Sequence, residues 1–93
     1  MNYYEPREDS YLLQKFVKKH AIGNVLDLGT GSGIQAITAS KNKKVKKVLA
    51  ADINREALKT AKKNSKNLNI ELRHTDLFLN IKQRFDTIIF NPP

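Results

Sequence analysis

The sequence has no cysteine, which excludes disulfides and thiolate metal sites within its 93 residues. No metal site is expected, and the absence of cysteine fits a cytoplasmic protein. No apolar run approaches the roughly 20 residues that a membrane-spanning helix needs. The opening Met1-Asn2-Tyr3-Tyr4-Glu5-Pro6 lacks the basic-then-apolar layout of a secretory signal, so no membrane partner is expected. Pro/Ser-rich linkers, low-complexity tracts and internal repeats are missing too. Acid is scarce: nine Asp and Glu face 17 Lys and Arg, giving a formal charge of +8. At this length one small domain is the most the chain forms, with a modest buried fraction. Its hydrophobic content of 40% is ordinary, although mean hydropathy is low at −0.53.

What is present in excess is lysine, in two clusters. Lys41, Lys43, Lys44, Lys46 and Lys47 read as a helix-to-strand connection. Lys59, Lys62, Lys63 and Lys66 read as the outer face of a helix. Such a balance suits nucleic acid or another acidic partner. Neither cluster carries interleaved aromatics for base stacking, so solvated faces are the preferred reading and nucleic acid the weaker one.

Along the chain, Pro6 disfavours helix at Glu5. Asp9 or Ser10 caps a helix through about Lys19, with Leu12, Leu13, Phe16 and Val17 on one face. Gly23-Asn24 breaks the chain. Val25–Leu28 reads as a buried strand, Ile34 to about Lys41-Asn42 as a helix, and Lys47–Ala51 as a second strand ending at Asp52. Asn54 is a good N-cap, with Glu56 in a first turn that favours negative charge. That helix runs to about Asn67, burying Ala57, Leu58 and Ala61. Ile70–Arg73 alternates as a third strand, residues 77–83 form a loop or short turn, and 85–90 form a fourth strand. The order α-β-α-β-α-β-β predicts a parallel sheet with right-handed crossovers. In such sheets ligands sit beyond the carboxyl ends of the strands. Gly29, Asp52, Asp76 and Asn91 all fall at or just past a predicted strand end.

The turn Asp27-Leu28-Gly29-Thr30-Gly31-Ser32-Gly33 reads G-x-G-x-G, not the dinucleotide G-x-G-x-x-G. Alone it is weak evidence for a ligand, because a tight strand-to-helix connection also uses such glycines. Asp52 follows Gly33 by nineteen residues, the position from which a carboxylate accepts both hydroxyls of a ribose. Asp76 can accept an adenine amino group, and Asp27 can pair, directly or through water, with the ammonium of an amino-acid tail. Asp52 has a bland alternative as a charge at a helix N-terminus, and Asp76 as a loop carboxylate capping Phe78. In order, they describe a site for a phosphate-free nucleoside cofactor, S-adenosylmethionine.

Asn91-Pro92-Pro93 adds a grip for an amino group. An amide or aromatic amine is a poor nucleophile because its lone pair is delocalised. The Asn91 side-chain oxygen can accept one N–H and the Pro92 carbonyl the other. The prolines fix φ and remove competing donors, and positioning of this kind lowers a barrier by several kcal/mol. The bland alternative is a strand ended by a turn.

With these residues in view, the chain resembles class I S-adenosylmethionine-dependent methyltransferases of the NPPY type, and more narrowly HemK-like glutamine methyltransferases. Tyr4-Glu5-Pro6-Arg7-Glu8-Asp9-Ser10 is similar to the Y-x-P-x-E-D-[ST] segment of their short archaeal and eukaryotic branch. The resemblance spans all 93 residues. It implies a Rossmann-like α/β fold, here an N-terminal part with about four parallel strands, flanking helices and one partial cofactor-binding domain. It implies cofactor contacts at Ser10, Asp27, Gly29, Gly31, Gly33, Asp52, Asp76, Leu77 and Asn91. Asn91 and Pro92 would be catalytic, and Pro93 would join them in holding substrate. The aromatic residue expected after Pro93, and the later strands of a seven-stranded sheet, would be missing. The implied activity is methylation of a glutamine side-chain amide in a protein, a class-1 translation release factor, with a small zinc-binding activator protein as partner. Two other readings stay open. One is methylation of an adenine or guanine amino group in nucleic acid. The other is a non-catalytic half-domain that associates with itself or a partner through the edge of its last strand.

Overall fold

The computed structural model describes residues 8–76 and 81–90. The elements are α1 (Glu8–His20), β1 (Gly23–Leu28), α2 (Ile34–Ser40), β2 (Val45–Asp52), α3 (Arg55–Asn64), β3 (Ile70–His74) and β4 (Thr87–Phe90). The order is the expected one, and all three strand pairings are parallel. The sheet runs β3-β2-β1-β4. The chain therefore steps outward from β1 to β3, then returns to the other side of β1. This reversal sets the switch point between β1 and β4, with the glycine turn at its rim.

The four strands end together. Leu28 stands opposite Ala51 of β2 and Phe90 of β4, and Asp52 stands opposite His74 of β3. On one sheet face Val25, Val48, Ala50 and Ile89 pack with Val17 of α1, Ala21 just after it, and Ala36 and Ala39 of α2. The alanines let the helices approach the sheet closely. On the other face Leu26, Leu28, Leu49 and Ala51 are buried, with Ile81 and Phe85 packed against them. Burial of a side chain such as Leu26 contributes about 1.5–3 kcal/mol.

Several boundaries and faces differ from the sequence reading. Gly23-Asn24 opens β1 instead of breaking the chain. The Gly23 amide donates to the Lys44 carbonyl at 2.7 Å, and the Asn24 amide to Asp86 Oδ2 at 2.8 Å. In α1 the buried stripe is Ser10 and Val17 with partly buried Leu13, continued by Ala21 just after the helix, while Leu12 and Phe16 are exposed. The i, i+4 spacing of Leu13, Val17 and Ala21 selects that face. β2 starts at Val45, two residues earlier than expected, so Lys46 belongs to the strand along with Lys47. The third helix stops at Asn64, because Asn67 takes a left-handed conformation at φ 69° and the chain turns toward β3. Leu58 is only partly buried, unlike Ala57 and Ala61. β4 starts at Thr87, two residues later than expected. No helix among the described residues is long and apolar enough to cross a membrane.

Candidate functional site

The glycine turn is assembled mostly by backbone bonds. The Ala51 carbonyl accepts from the amides of both Gly29 (2.8 Å) and Thr30 (2.9 Å), and the Gly33 amide donates to the Thr30 carbonyl at 2.8 Å. Gly33 lies at φ 87°, and a Cβ there would meet the Cβ of Ala61 at 3.3 Å. Glycine is required on both counts. Gly31, at φ 55°, has nothing within 4 Å of where a Cβ would stand. The turn thus presents open space at Gly31 while its far side is packed on α3. The Asn64 side-chain amide adds a bond to the Ser32 carbonyl at 2.9 Å, fixing the turn to α3.

Asp52 joins this turn to the end of β2. Its Oδ2 accepts from the Gly31 amide at 3.0 Å and its Oδ1 from the Asn54 amide at 2.9 Å. Each oxygen retains a lone pair for a further donor. Asn54 is the expected N-cap, accepting from Glu56 and Ala57. The Asp52 carbonyl accepts from Thr75 at 3.0 Å, so the chain reaches Asp76 at the same sheet end. Asp76 is exposed.

Asp27 lies under the turn, with 0% of its surface exposed. Its Oδ2 accepts from the Thr30 hydroxyl at 2.7 Å. Its Oδ1 is buried without a hydrogen-bond partner among the described residues. Burial pushes the carboxyl up to about 6, partly offset by the Thr30 hydroxyl and the nearby Ala36 amide, while the negative Asp52 adds to the rise. The Ala36 amide lowers it electrostatically but completes no hydrogen bond to Oδ1. The unmatched acceptor at Oδ1 suits a cationic or donor group brought to the turn through an intervening water. Direct contact would require the turn to open.

Ser10 is buried, and its carbonyl accepts from Gln35 Nε2 at 2.8 Å. This bond holds the start of α1 against the start of α2, beside the turn. Gln35 is itself 2% exposed, and its Oε1 has no hydrogen-bond partner among the described residues. The structure therefore brings Ser10, Asp27, Gly29, Gly31, Gly33 and Asp52 together, with Asp76 at the same sheet end. β4 ends at Phe90 opposite Leu28, so it delivers the chain to that end too. Leu77, Asn91, Pro92 and Pro93 lie outside the described residues.

Sequence reasoning missed four supporting residues. Thr30 had a local signal, a hydroxyl three residues after a carboxylate in a turn. Gln35 and Asn64 had none, since their partners are distant in the chain. His74 was also missed: its Nε2 donates to the Ile53 carbonyl at 2.7 Å and pins the turn that follows Asp52.

A family model described as the methyltransferase small domain matches residues 8–93. The chain belongs to this family. It is 46% identical over 92 residues to a protein of Methanocaldococcus jannaschii whose name assigns it provisionally to protein N5-glutamine methylation, covering 97% of this chain and 46% of that one. It is 46% identical over 72 residues to a release factor glutamine methyltransferase of Streptococcus pneumoniae, covering 75% of this chain and 26% of the relative. The chain thus spans about half the length, or less, of these curated relatives. Among solved structures, a ribosomal protein L11 methylase from Lactobacillus delbrueckii subsp. bulgaricus superposes with a TM-score of 0.80 at 32% identity, covering 92% of this chain and 47% of the other. The parallel four-stranded sheet is therefore the fold expected of a class I methyltransferase.

Proposed function

We propose that the chain is the cofactor-binding part of an S-adenosylmethionine-dependent N-methyltransferase acting on a glutamine side-chain amide of a protein, a translation release factor. The observation that carries the cofactor is the 3.0 Å bond from the Gly31 amide to Asp52, beside the open space at Gly31. Glycine turn and carboxylate form one cradle. Asp52 would hold the ribose hydroxyls, Asp76 and Leu77 the adenine edge, and Gly29, Gly31 and Gly33 the close approach of backbone to ligand. Ser10 and Asp27 would hold the amino-acid tail, Asp27 through water. The cofactor supplies an electrophilic methyl group. This chain's contribution is to orient its target: Asn91 and Pro92 would each accept one N–H of the amide, with Pro93 stiffening the segment. The glutamine amide rests on the Tyr4–Ser10 segment and on the names of the two curated relatives. A small zinc-binding activator protein and cytoplasmic location belong to the same reading.

Calorimetric titration of the full chain with S-adenosylhomocysteine tests the cofactor. Saturable binding is expected, and Asp52→Ala should weaken it about tenfold to a hundredfold, the weight of one or two charge-assisted hydrogen bonds. No heat from a folded sample, or an unchanged affinity in the variant, would count against the assignment. A methylation assay comparing a release factor with DNA and ribosomal RNA separates the glutamine reading from nucleic-acid amino-group transfer, which the +8 charge favours. Self-association belongs to the same proposal and is supported by β4, which is an edge strand among the described residues, with Ile88 and Phe90 about half exposed.

A further inference from the structure

The fold turns the two lysine clusters of the sequence into one surface. Lys43 and Lys44 lie in the connection from α2 to β2, and Lys46 lies at the start of β2. Lys44 Nζ donates to the Lys19 carbonyl at 2.7 Å, tying this connection to the last turn of α1. The second cluster supplies Lys62, Lys63 and Lys66, which line an open cleft of about 650 Å³ whose apolar floor is Ile70 and Leu72. The register joins the two. Ile70 starts β3 opposite Val48, so the two lysine-bearing connections reach neighbouring strands at the same, amino end of the sheet. Lys46 itself is the extra residue of a bulge in β2, between Val45 opposite Gly23 and Lys47 opposite Asn24.

The six lysines are exposed. The ion pairs among the described residues are Lys59 with Glu56 and Arg73 with Glu71, so none of the six is neutralised there. Asp27, Asp52 and Asp76 gather at the opposite, carboxyl end of the strands. Glu71 stands beside Leu49 on the other sheet face and is engaged by Arg73 at 2.6 Å. Asp86, at the start of β4, is separated from β2 by β1 and accepts from Asn24.

We infer that this lysine band, from the α2–β2 connection to the α3–β3 connection, binds the sugar-phosphate backbone of duplex nucleic acid. Lysine offers compact charges that suit phosphates without reading sequence. The band has no aromatic residue to stack on bases. None of the exposed large apolar side chains among the described residues belongs to the α2–β2 or α3–β3 connection, so the band itself offers no apolar face to insert into a lipid surface. The band adjoins the cofactor cradle at one point, where Asn64, between Lys63 and Lys66, donates to the Ser32 carbonyl of the glycine turn. Phosphate binding by the lysines is independent of which group is methylated.

Fluorescence anisotropy of the full chain with a labelled RNA hairpin and a labelled DNA duplex tests it. With about four phosphates neutralised, log K should fall against log salt with a slope of about −3 to −4. The double variant Lys43→Glu with Lys46→Glu should lose at least about tenfold in affinity at low salt and reduce the slope by about two. Lys82→Glu with Arg84→Glu changes the charge equally outside the band and should cost less than about threefold. If the reversed pair fails to fold, as read by circular dichroism, Lys43→Gln with Lys46→Gln replaces it, and the wild-type salt slope stands on its own. Binding to both duplexes, or to one, supports the band. A slope near zero, equal losses in the two charge-reversal pairs, or tighter binding to phosphatidylserine vesicles or polyglutamate than to either duplex overturns it.

Discussion

Asp27 is the residue whose chemistry the fold changes most. An unfolded chain releases its proton near 3.8, whereas burial holds the folded carboxyl up to about 6. Between these values the native state carries a proton that the unfolded state has lost. Stability from this group is therefore full below pH 3.8 and is lost as pH rises through about 6. A shift of this size corresponds to about 3 kcal/mol. Asp27→Asn stays neutral throughout and keeps an oxygen for the Thr30 hydroxyl. Urea denaturation at pH 4 and pH 7 should show a decline in the wild type that shrinks by up to about 3 kcal/mol in the variant. Equal declines would mean that the carboxyl is better solvated than its geometry implies. If the charge serves the cofactor tail, the same substitution should weaken S-adenosylhomocysteine at pH 7 without loss of fold.

At the scale of elements, α3 depends on its first turn. Asn54 Oδ1 accepts from Glu56 at 2.8 Å and Ala57 at 3.2 Å, satisfying two amides that the helix leaves unpaired. Asn54→Ala should cost about 1 kcal/mol by equilibrium unfolding. It should also loosen the turn that begins at Asp52, so cofactor affinity should fall along with stability. Loss of stability with unchanged affinity would separate the cap from the cradle. This cap was legible in the sequence because it is local: one polar residue just before a helical pattern. The strand ends, and hence the convergence of the glycine turn with Asp52 and Asp76, were legible for the same reason. The buried face of α1 was not. Leu12, Leu13, Phe16 and Val17 make an overlapping apolar set, and only the α2 surface decides that Leu13 and Val17 turn inward. Nor was the place of β4 beside β1, because β-α alternation fails after β3 and local pattern then says nothing about which sheet edge the chain joins.

At the scale of the whole molecule, charge and sheet edges act against each other. The β3 edge carries the charged pair Glu71 and Arg73, which discourages pairing with another chain. The β4 edge, Thr87–Phe90, carries no charge, and its Ile88 and Phe90 continue the apolar face formed by Leu26 and Leu28. A second copy pairing along β4 would cover both. A net charge of +8 on each copy opposes that approach, and salt screens the repulsion, with a Debye length of about 10 Å at 0.1 M. Self-association should therefore strengthen with salt, whereas binding of duplex nucleic acid to the lysine band should weaken, and the two behaviours separate on one axis. Sedimentation velocity should show a mass that rises with concentration, more so at high salt. Ile88→Lys with Phe90→Lys should give a monomer that still binds S-adenosylhomocysteine. A wild-type chain that stays monomeric at every concentration in high salt would remove self-association from the properties of this sheet.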